Sequence, residues 1–376
     1  MQQPAPAGPG DLERPMTHVT ISDIAATLGI STAAVSYALN GRPGVSAATR
    51  QRVLDLVEEM AWKPDSTARS LRSRRSMAVG IALSRDPEEI AYEPFYSYIQ
   101  AGIEQALAAR GYSLMISRPG RRPGAELDVY RTWAAQRRVD GVILFDLLAD
   151  DPRRGVLPEL RLPFVEVTSE DAGPAPRVLV DDAADAANLV RHLADQGYRS
   201  LVHLSGPVEL THERLRADAI ARTAAAFGLD VIHGVCRYTM EDGIRGFLEA
   251  FEEVGKGPTA AAGAPGRPLG VIASSDLLAL GALRGAQRLE LGVPDQVGVV
   301  SWDDSLPCRI SNPPLTSLER RPIEMGRLAA DLLLDRLDGR HRDLVRLPPS
   351  ELTVRASSRR DASSGSHDAE GLLTSV

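Results

Sequence analysis

The sequence has almost no lysine and almost no cysteine. Lys63 and Lys256 are the only lysines among 376 residues, so nearly all positive charge is arginine. That bias reads as the codon usage of a GC-rich genome and carries no functional meaning. Cys236 and Cys308 are the only cysteines. Two thiols exclude a disulfide framework and cannot by themselves complete a zinc site, so both read as passive. No run approaches the roughly 18 uninterrupted apolar residues of a membrane span. The first fifteen residues, rich in Pro, Gly and Ala, lack the basic start and apolar core of a secretory signal; the expectation is a cytoplasmic protein. Enzyme signatures are missing too: there is no nucleophile elbow, no phosphate loop and no metal-spaced histidine cluster. His203, His212 and His233 are scattered. Neither catalysis, nor a cofactor, nor a metal is expected.

What remains is an ordinary globular composition, 43% apolar and 25% charged, with length enough for two or three cores. The net charge of −7 is unevenly spread. Residues 16–76 hold eight basic against five acidic side chains, a net +3, which leaves −10 for the rest. A small basic head on an acidic body suits local attraction to phosphates without general adhesion to nucleic acid.

Residues 1–15 read as a disordered lead. Thr20, with Asp23 three residues on, marks a capping box for a first helix carrying Ile24, Ala25 and Leu28 on one face. Gly29 ends it. Ser31 caps a second helix with Val35, Ala38 and Leu39 inward, and Ser46 caps a third with Val53, Leu56, Val57 and Met60 at helical spacing. Three short helices with a tight turn after the first describe a helix-turn-helix, though the stretch alone would also suit a plain capped hairpin. The second helix of such a unit lies in the major groove. Its first turn offers Thr32 and Ala33 to base edges, with Tyr37 one turn on. Ser31, Ser36 and Asn40 are suited to phosphates, which position without specifying. Residues 62–76, with Arg69, Arg72, Arg74 and Arg75 and few apolar residues, read as a linker that orders on a partner.

From Met77 short apolar runs alternate with amphipathic stretches. Strands are expected at 78–84, 113–117, 141–145, 164–167, 178–180, 201–204, 270–273 and 298–302, and helices at 96–110, 183–196, 277–290 and 323–337. This alternation predicts parallel sheets covered on both faces, and about 280 residues predict two lobes. The expected fold class is α/β: an all-α head, then a two-lobed core of doubly wound parallel sheets over 77–357. Residues 358–376 read as a polar tail.

The stretch VTISDIAATLGISTAAVSYALNGRPGVSAATRQRVLDLVEEMAWKPDSTARSL resembles the N-terminal signature of the lac repressor (LacI/GalR) family, with Trp62 where the family usually has Tyr. The likeness continues more weakly through RRVDGVIL, DQGYRSLVHLSGP, ASSDLLALGALRGAQRLELGVPDQVGVVSWDDS and NPPLTSLERRPIEMGRLAADLLLDRL. It implies a transcriptional regulator whose core resembles a periplasmic sugar-binding protein, with a small-molecule effector in the cleft, a sugar first and a nucleobase next. It also implies a homodimer on near-palindromic double-stranded DNA. Residues 65–73 would form a helix only on the operator, with Leu71 wedged into the minor groove and Arg69 and Arg72 beside it.

For the effector, the resemblance points to Phe95 and Tyr96 after the first strand, Asp276 in the SSD motif, and Arg214 at the family's R-x-x-G-F arginine. Tyr238 and Trp302 are candidate stacking faces, and together these form a polyol clamp. Ala217 and Asp218 depart from the Gly-Phe of that motif, which leaves Arg214 competing with Arg216. Asp146 and Thr168, placed just after strands, are further candidates. A ligand-transport module and an enzyme are the competing classes.

Overall fold

The computed structural model describes residues 19–39, 41–60, 62, 75–122, 124–168, 170, 173, 175–256 and 268–360, with positions 87, 88 and 91 in backbone only. It divides into two units, residues 1–74 and 75–376.

The first unit is a three-helix head: α1 (Ile21–Leu28), α2 (Thr32–Leu39) and α3 (Ala47–Glu59). Local chemistry sets its boundaries. The Thr20 hydroxyl accepts from the Asp23 N–H, and the Asp23 carboxylate accepts from the Thr20 N–H at 2.7 Å. Gly29 closes α1 at φ 65°, the left-handed geometry that a side chain would strain. Ser31 and Ser46 accept from Ala34 N–H and Thr49 N–H, each at 3.1 Å. Ile24, Ala25, Val35, Ala38 and Val53 form the core. Met60, expected inward, is instead exposed at the end of α3, where the helix has run past that core. Trp62, expected in the linker, packs on the head and donates its indole N–H to the Val19 carbonyl at 2.7 Å.

The second unit carries, in chain order, β1 (Ala78–Ala82), α4 (Pro87–Tyr92), α5 (Pro94–Ala109), β2 (Ser113–Ser117), α6 (Ala125–Ala135), β3 (Gly141–Leu144), α7 (Arg153–Glu159), β4 (Phe164–Thr168), β5 (Arg177–Leu179), α8 (Asp182–Asp195) and β6 (Ser200–Ser205). It continues with α9 (Thr211–Ala226), β7 (Asp230–Val235), α10 (Met240–Val254), β8 (Leu269–Ala273), α11 (Asp276–Arg288), β9 (Val297–Ser301), α12 (Leu306–Ile310), β10 (Thr316–Glu319), α13 (Pro322–Leu337), β11 (Leu344–Arg346) and β12 (Glu351–Thr353). Two six-stranded sheets result, ordered β11-β5-β4-β3-β1-β2 and β12-β10-β9-β8-β6-β7. All pairs are parallel except β10 with β12. The fully buried strands β1, β3, β8 and β9 are the near-continuous apolar runs that parallel sheets require.

The chain passes between the sheets after β5, after β10 and after β11, so the lobes are not sequential domains. Helix α13 lies against α5 in the first lobe although β10 before it belongs to the second. The fold also begins and ends elsewhere than the sequence suggested. Ser76 N–H and Met77 N–H donate to the Asp140 carboxylate at 2.7 and 2.9 Å. Ser358, read as tail, is fully buried and donates to Thr316 Oγ1. No described helix is long and apolar enough to cross a membrane.

Candidate functional site

On the head, Ser31, Thr32, Ala33 and Tyr37 are exposed and share the outer side of α2. Ser36 is a correction: it is 5% exposed, because it sits at the edge of the arc that buries Ala38, Val35 and part of Leu39. Tyr37 packs its ring on Gly44, which at φ 121° adopts a backbone that favours glycine. Asn40, Arg69, Leu71 and Arg72 lie outside the described residues.

In the second unit, the carboxyl ends of the parallel strands of both lobes converge on one cavity. Arg85 follows β1, Asp146 follows β3, Thr168 ends β4, and Asp182 follows β5. From the second lobe come Thr211 and Arg216 after β6, Tyr238 after β7, Ser274 after β8, Asp303 after β9 and Arg320 after β10. Crevices at strand carboxyl ends are where open α/β sheets bind ligands. Three arginines, Arg85, Arg216 and Arg320, alternate with four carboxylates, Glu93, Asp146, Asp182 and Asp303, among aromatic faces from Phe95, Tyr96 and Tyr238.

Arg216 is the centre of the second-lobe wall. It is 3% exposed, donates to Glu213 at 3.0 Å and to Asp182 at 3.2 Å, and lies 4.4 Å over the Trp302 ring. Glu213 also accepts from Tyr238 O–H at 2.6 Å, Ser274 O–H at 2.7 Å and Gly206 N–H at 2.9 Å. Burial opposes its charge, but the Arg216 guanidinium and these donors hold the carboxyl below its usual range. In the first lobe, Asp146 accepts from Tyr96 O–H at 2.7 Å and is held down to about 2, against its burial, by Arg85. Asp146 stands at φ 50°, a strained position for a side chain with a carboxylate to aim. Three buried polar atoms on cavity-lining residues, Thr211 Oγ1, Arg216 Nε and Arg320 Nε, have no hydrogen-bond partner. Arg320 lies 5.1 Å over Phe95, and this pair borders a second cavity of about 620 Å³.

Of the six effector candidates, Phe95, Tyr96 and Tyr238 line the cavity. Three corrections follow. Arg214 is exposed, because only Arg216 shares the helical phase of buried Ile220 and Ala224 on α9. Asp276 is turned into the helix end: it accepts from the Ser305 hydroxyl and from Leu277 N–H at 2.8 Å, and does not line the cavity. Trp302 is fully buried one layer behind Arg216, donating to Asp182 at 3.3 Å. Asp146 and Thr168 do line it. Arg85, Glu93, Asp182, Glu213, Asp303 and Arg320 escaped the sequence reading. For Arg85, Asp182, Asp303 and Arg320 the available signal was a position one to three residues past a strand's carboxyl end; Glu93 and Glu213, farther along the chain, carried no such signal.

Behind the Ser274 wall, His203 Nε2 contacts Ser274 Oγ at 3.1 Å, and His203 Nδ1 contacts His233 Nδ1 at 3.1 Å. Burial, against the pull of Glu213, pushes His203 down to about 3. The folded chain therefore keeps it neutral where an unfolded histidine protonates, near pH 6.5. Its stability contribution is whole above that pH and drains away as pH falls toward the folded value, at about 1.4 kcal/mol per unit. His203→Gln should remove this one-proton slope. In urea titrations the stability gap between wild type and variant should shrink from pH 7 to pH 5; an unchanged gap would exclude the effect.

Comparison with known proteins matches both units. The model of "Bacterial regulatory proteins, lacI family" matches residues 20–65, and that of a "Periplasmic binding protein-like domain" matches residues 190–358. The HTH-type transcriptional regulator CelR of Thermobifida fusca is 31% identical over 347 residues, covering 90% of this chain and 98% of the relative. A solved transcriptional regulator CelR–cellobiose complex is 29% identical with a TM-score of 0.67, covering 90% of this chain and 100% of that one. The fold is also that of a lac repressor dimer bound to operator, at a TM-score of 0.78 and 24% identity over 91% of this chain and 99% of that one. The chain belongs to the lacI family of bacterial regulatory proteins and is a DNA-binding transcriptional regulator.

Proposed function

We propose that the chain is a homodimeric repressor that grips a near-palindromic operator and is controlled by a sugar bound between its lobes. The observation that carries the sugar reading is the cavity lining, where Thr211, Asp303, Arg216 and Arg320 stand beside Phe95, Tyr96 and Tyr238. A ligand dense in hydroxyls would exchange hydrogen bonds with these hydroxyl, carboxyl and guanidinium side chains, while Tyr96, Tyr238 and Phe95 would cover its apolar ring faces. Relatives support the class: one solved regulator is named as a cellobiose complex, and a ribose operon repressor of Escherichia coli K12 is 28% identical over 85% of this chain. The hinge belongs to the same proposal, with Leu71 as minor-groove wedge and Arg69 and Arg72 at the phosphates; it rests on the sequence motif. On the head, Thr32, Ala33 and Tyr37 face bases, and Ser31 and Asn40 the backbone.

The test uses the full chain. Duplexes from its own upstream region are titrated with and without a sugar panel that includes cellobiose and ribose, alongside melting curves. One sugar should raise the melting temperature and change operator affinity by about 5–150-fold. A sugar that shifts melting while no palindromic duplex binds would favour a transport module and overturn the reading.

A further inference from the structure

The cleft is already occupied by a side chain of its own. Its cavity is about 60 Å³, against roughly 300–1,000 Å³ for small-molecule sites. Arg85 projects into this lining. It leaves β1 in the first lobe, is 7% exposed, and donates through Nε and Nη2 to the two Asp146 oxygens at 2.7 and 3.0 Å, and through Nη1 to Glu93 at 2.9 Å. Its guanidinium lies 4.9 Å from the Tyr96 ring of the same lobe and 4.3 Å from the Tyr238 ring of the other. A planar cation over two aromatic faces, with a bidentate carboxylate at one edge and a further acceptor carboxyl at the other, is how proteins bind a guanidinium ligand; burial pushes that second carboxyl, Glu93, up to about 8. Tyr238 supplies its face from the second lobe while its hydroxyl is tied to Glu213.

We propose that Arg85 is an internal ligand of the effector cleft: Asp146, Glu93, Tyr96 and Tyr238 form a guanidinium site that the chain fills with its own side chain and that an effector must empty. The inference rests on the cleft being the effector site. Arg85 then sets both affinity and closure. Effector affinity is reduced by the fraction of molecules in which Arg85 is seated. Seated Arg85 also links the lobes through Tyr238, so emptying it releases a contact between them. The emptied subsite prefers a guanidinium or ammonium group, a preference that the second-lobe wall around Arg216 does not share.

The experiment compares wild type, Arg85→Ala and Arg85→Lys as full-length protein, with methylguanidinium at millimolar, non-denaturing concentration and the sugar of the panel giving the largest shift. Methylguanidinium should raise the melting temperature of Arg85→Ala saturably and leave wild type unmoved; adding Asp146→Asn should abolish the effect. The sugar should bind Arg85→Ala about tenfold more tightly than wild type, as removal of a seated competitor requires; Arg85→Lys, whose ammonium can reseat but cannot make the bidentate pair with Asp146, should gain less. Arg85→Lys keeps a cation beside Asp146 and Glu93, so it should fold, and its smaller gain in sugar affinity remains readable even where Arg85→Ala fails to fold. Equal methylguanidinium responses in wild type and Arg85→Ala overturn the proposal. So does weaker sugar binding by the variants, which would make Arg85 an effector contact and leave the sugar reading standing. Rescue by methylguanidinium with no sugar response in any form would instead sustain the internal ligand and sink the sugar reading.

Discussion

Arg216→Met should lower the unfolding free energy of the larger unit by about 3–5 kcal/mol, the scale of losing one partner from a buried ion pair. The side chain is 3% exposed, and its partners Glu213 and Asp182 are each 1% exposed. Methionine fills similar volume, so the loss isolates charge from packing. Glu213 would keep its hydroxyl and backbone donors but lose the one guanidinium it pairs with among the described residues, and Asp182 would keep the Trp302 indole and the more distant Arg320 at 3.7 Å. Two carboxylates in a dry wall then either ionise at high cost or take up protons. Urea titration followed by circular dichroism measures the loss, and its shrinkage at lower pH identifies the carboxylates as the cause. Arg214→Met, two residues away and exposed, should stay within about 0.5 kcal/mol. A loss below about 1 kcal/mol for Arg216→Met would show that the wall does not depend on this cation.

Gly102→Ala should cost about 3 kcal/mol or more through a different physics, the upper end of overpacking. Helices α5 and α13 cross in the first lobe, and a Cβ on Gly102 would stand 1.9 Å from the Ile323 carbonyl oxygen and 2.8 Å from its carbon. Gly326 on α13 repeats the contact from the other side, 2.1 Å from the Ile99 carbonyl oxygen. A backbone carbonyl cannot rotate aside as a side chain can, so the helices must separate. That loosens Ile99, Ile103, Met325 and Ala329 in one cluster. The same helices carry Phe95, Tyr96 and Met325 into the cleft wall, so a destabilised crossing should also blunt the effector response. Thermal melts give the cost. Gly155→Ala, on α7 with nothing within 4 Å of the added methyl, should be neutral or slightly stabilising. Similar melting temperatures for the two variants would refute the crossing as a constraint.

Both substitutions fall where the chain folds back on itself, and there the sequence is hardest to read. The head was legible nearly to the residue because its signals are local: Thr20 with Asp23, Gly29, Ser31 and Ser46 act within four residues of themselves. The buried strands were legible because parallel sheets covered on both faces need continuous apolar runs. Strands β7, β10, β11 and β12 were not: β7, β11 and β12 are edge strands with exposed residues that look like loop, and β10, though mostly buried, reads Thr-Ser-Leu-Glu with a single apolar residue.

The helix-turn-helix, the α/β core and its two lobes were therefore determined by the sequence alone, since caps, periodicity and apolar runs are properties of neighbours along the chain. The cleft was decided by tertiary structure. Arg85, Asp182, Glu213, Asp303 and Arg320 are charged residues that, read singly, belong on a solvated surface; they become one buried, alternating wall only because two parallel sheets bring their strand ends together. Arg216 prevailed over Arg214 by helical phase. Asp276 was taken out of the cleft by the helix end it sits on. Charge burial depends on partners far apart in sequence, and no local pattern records which partners the fold will supply.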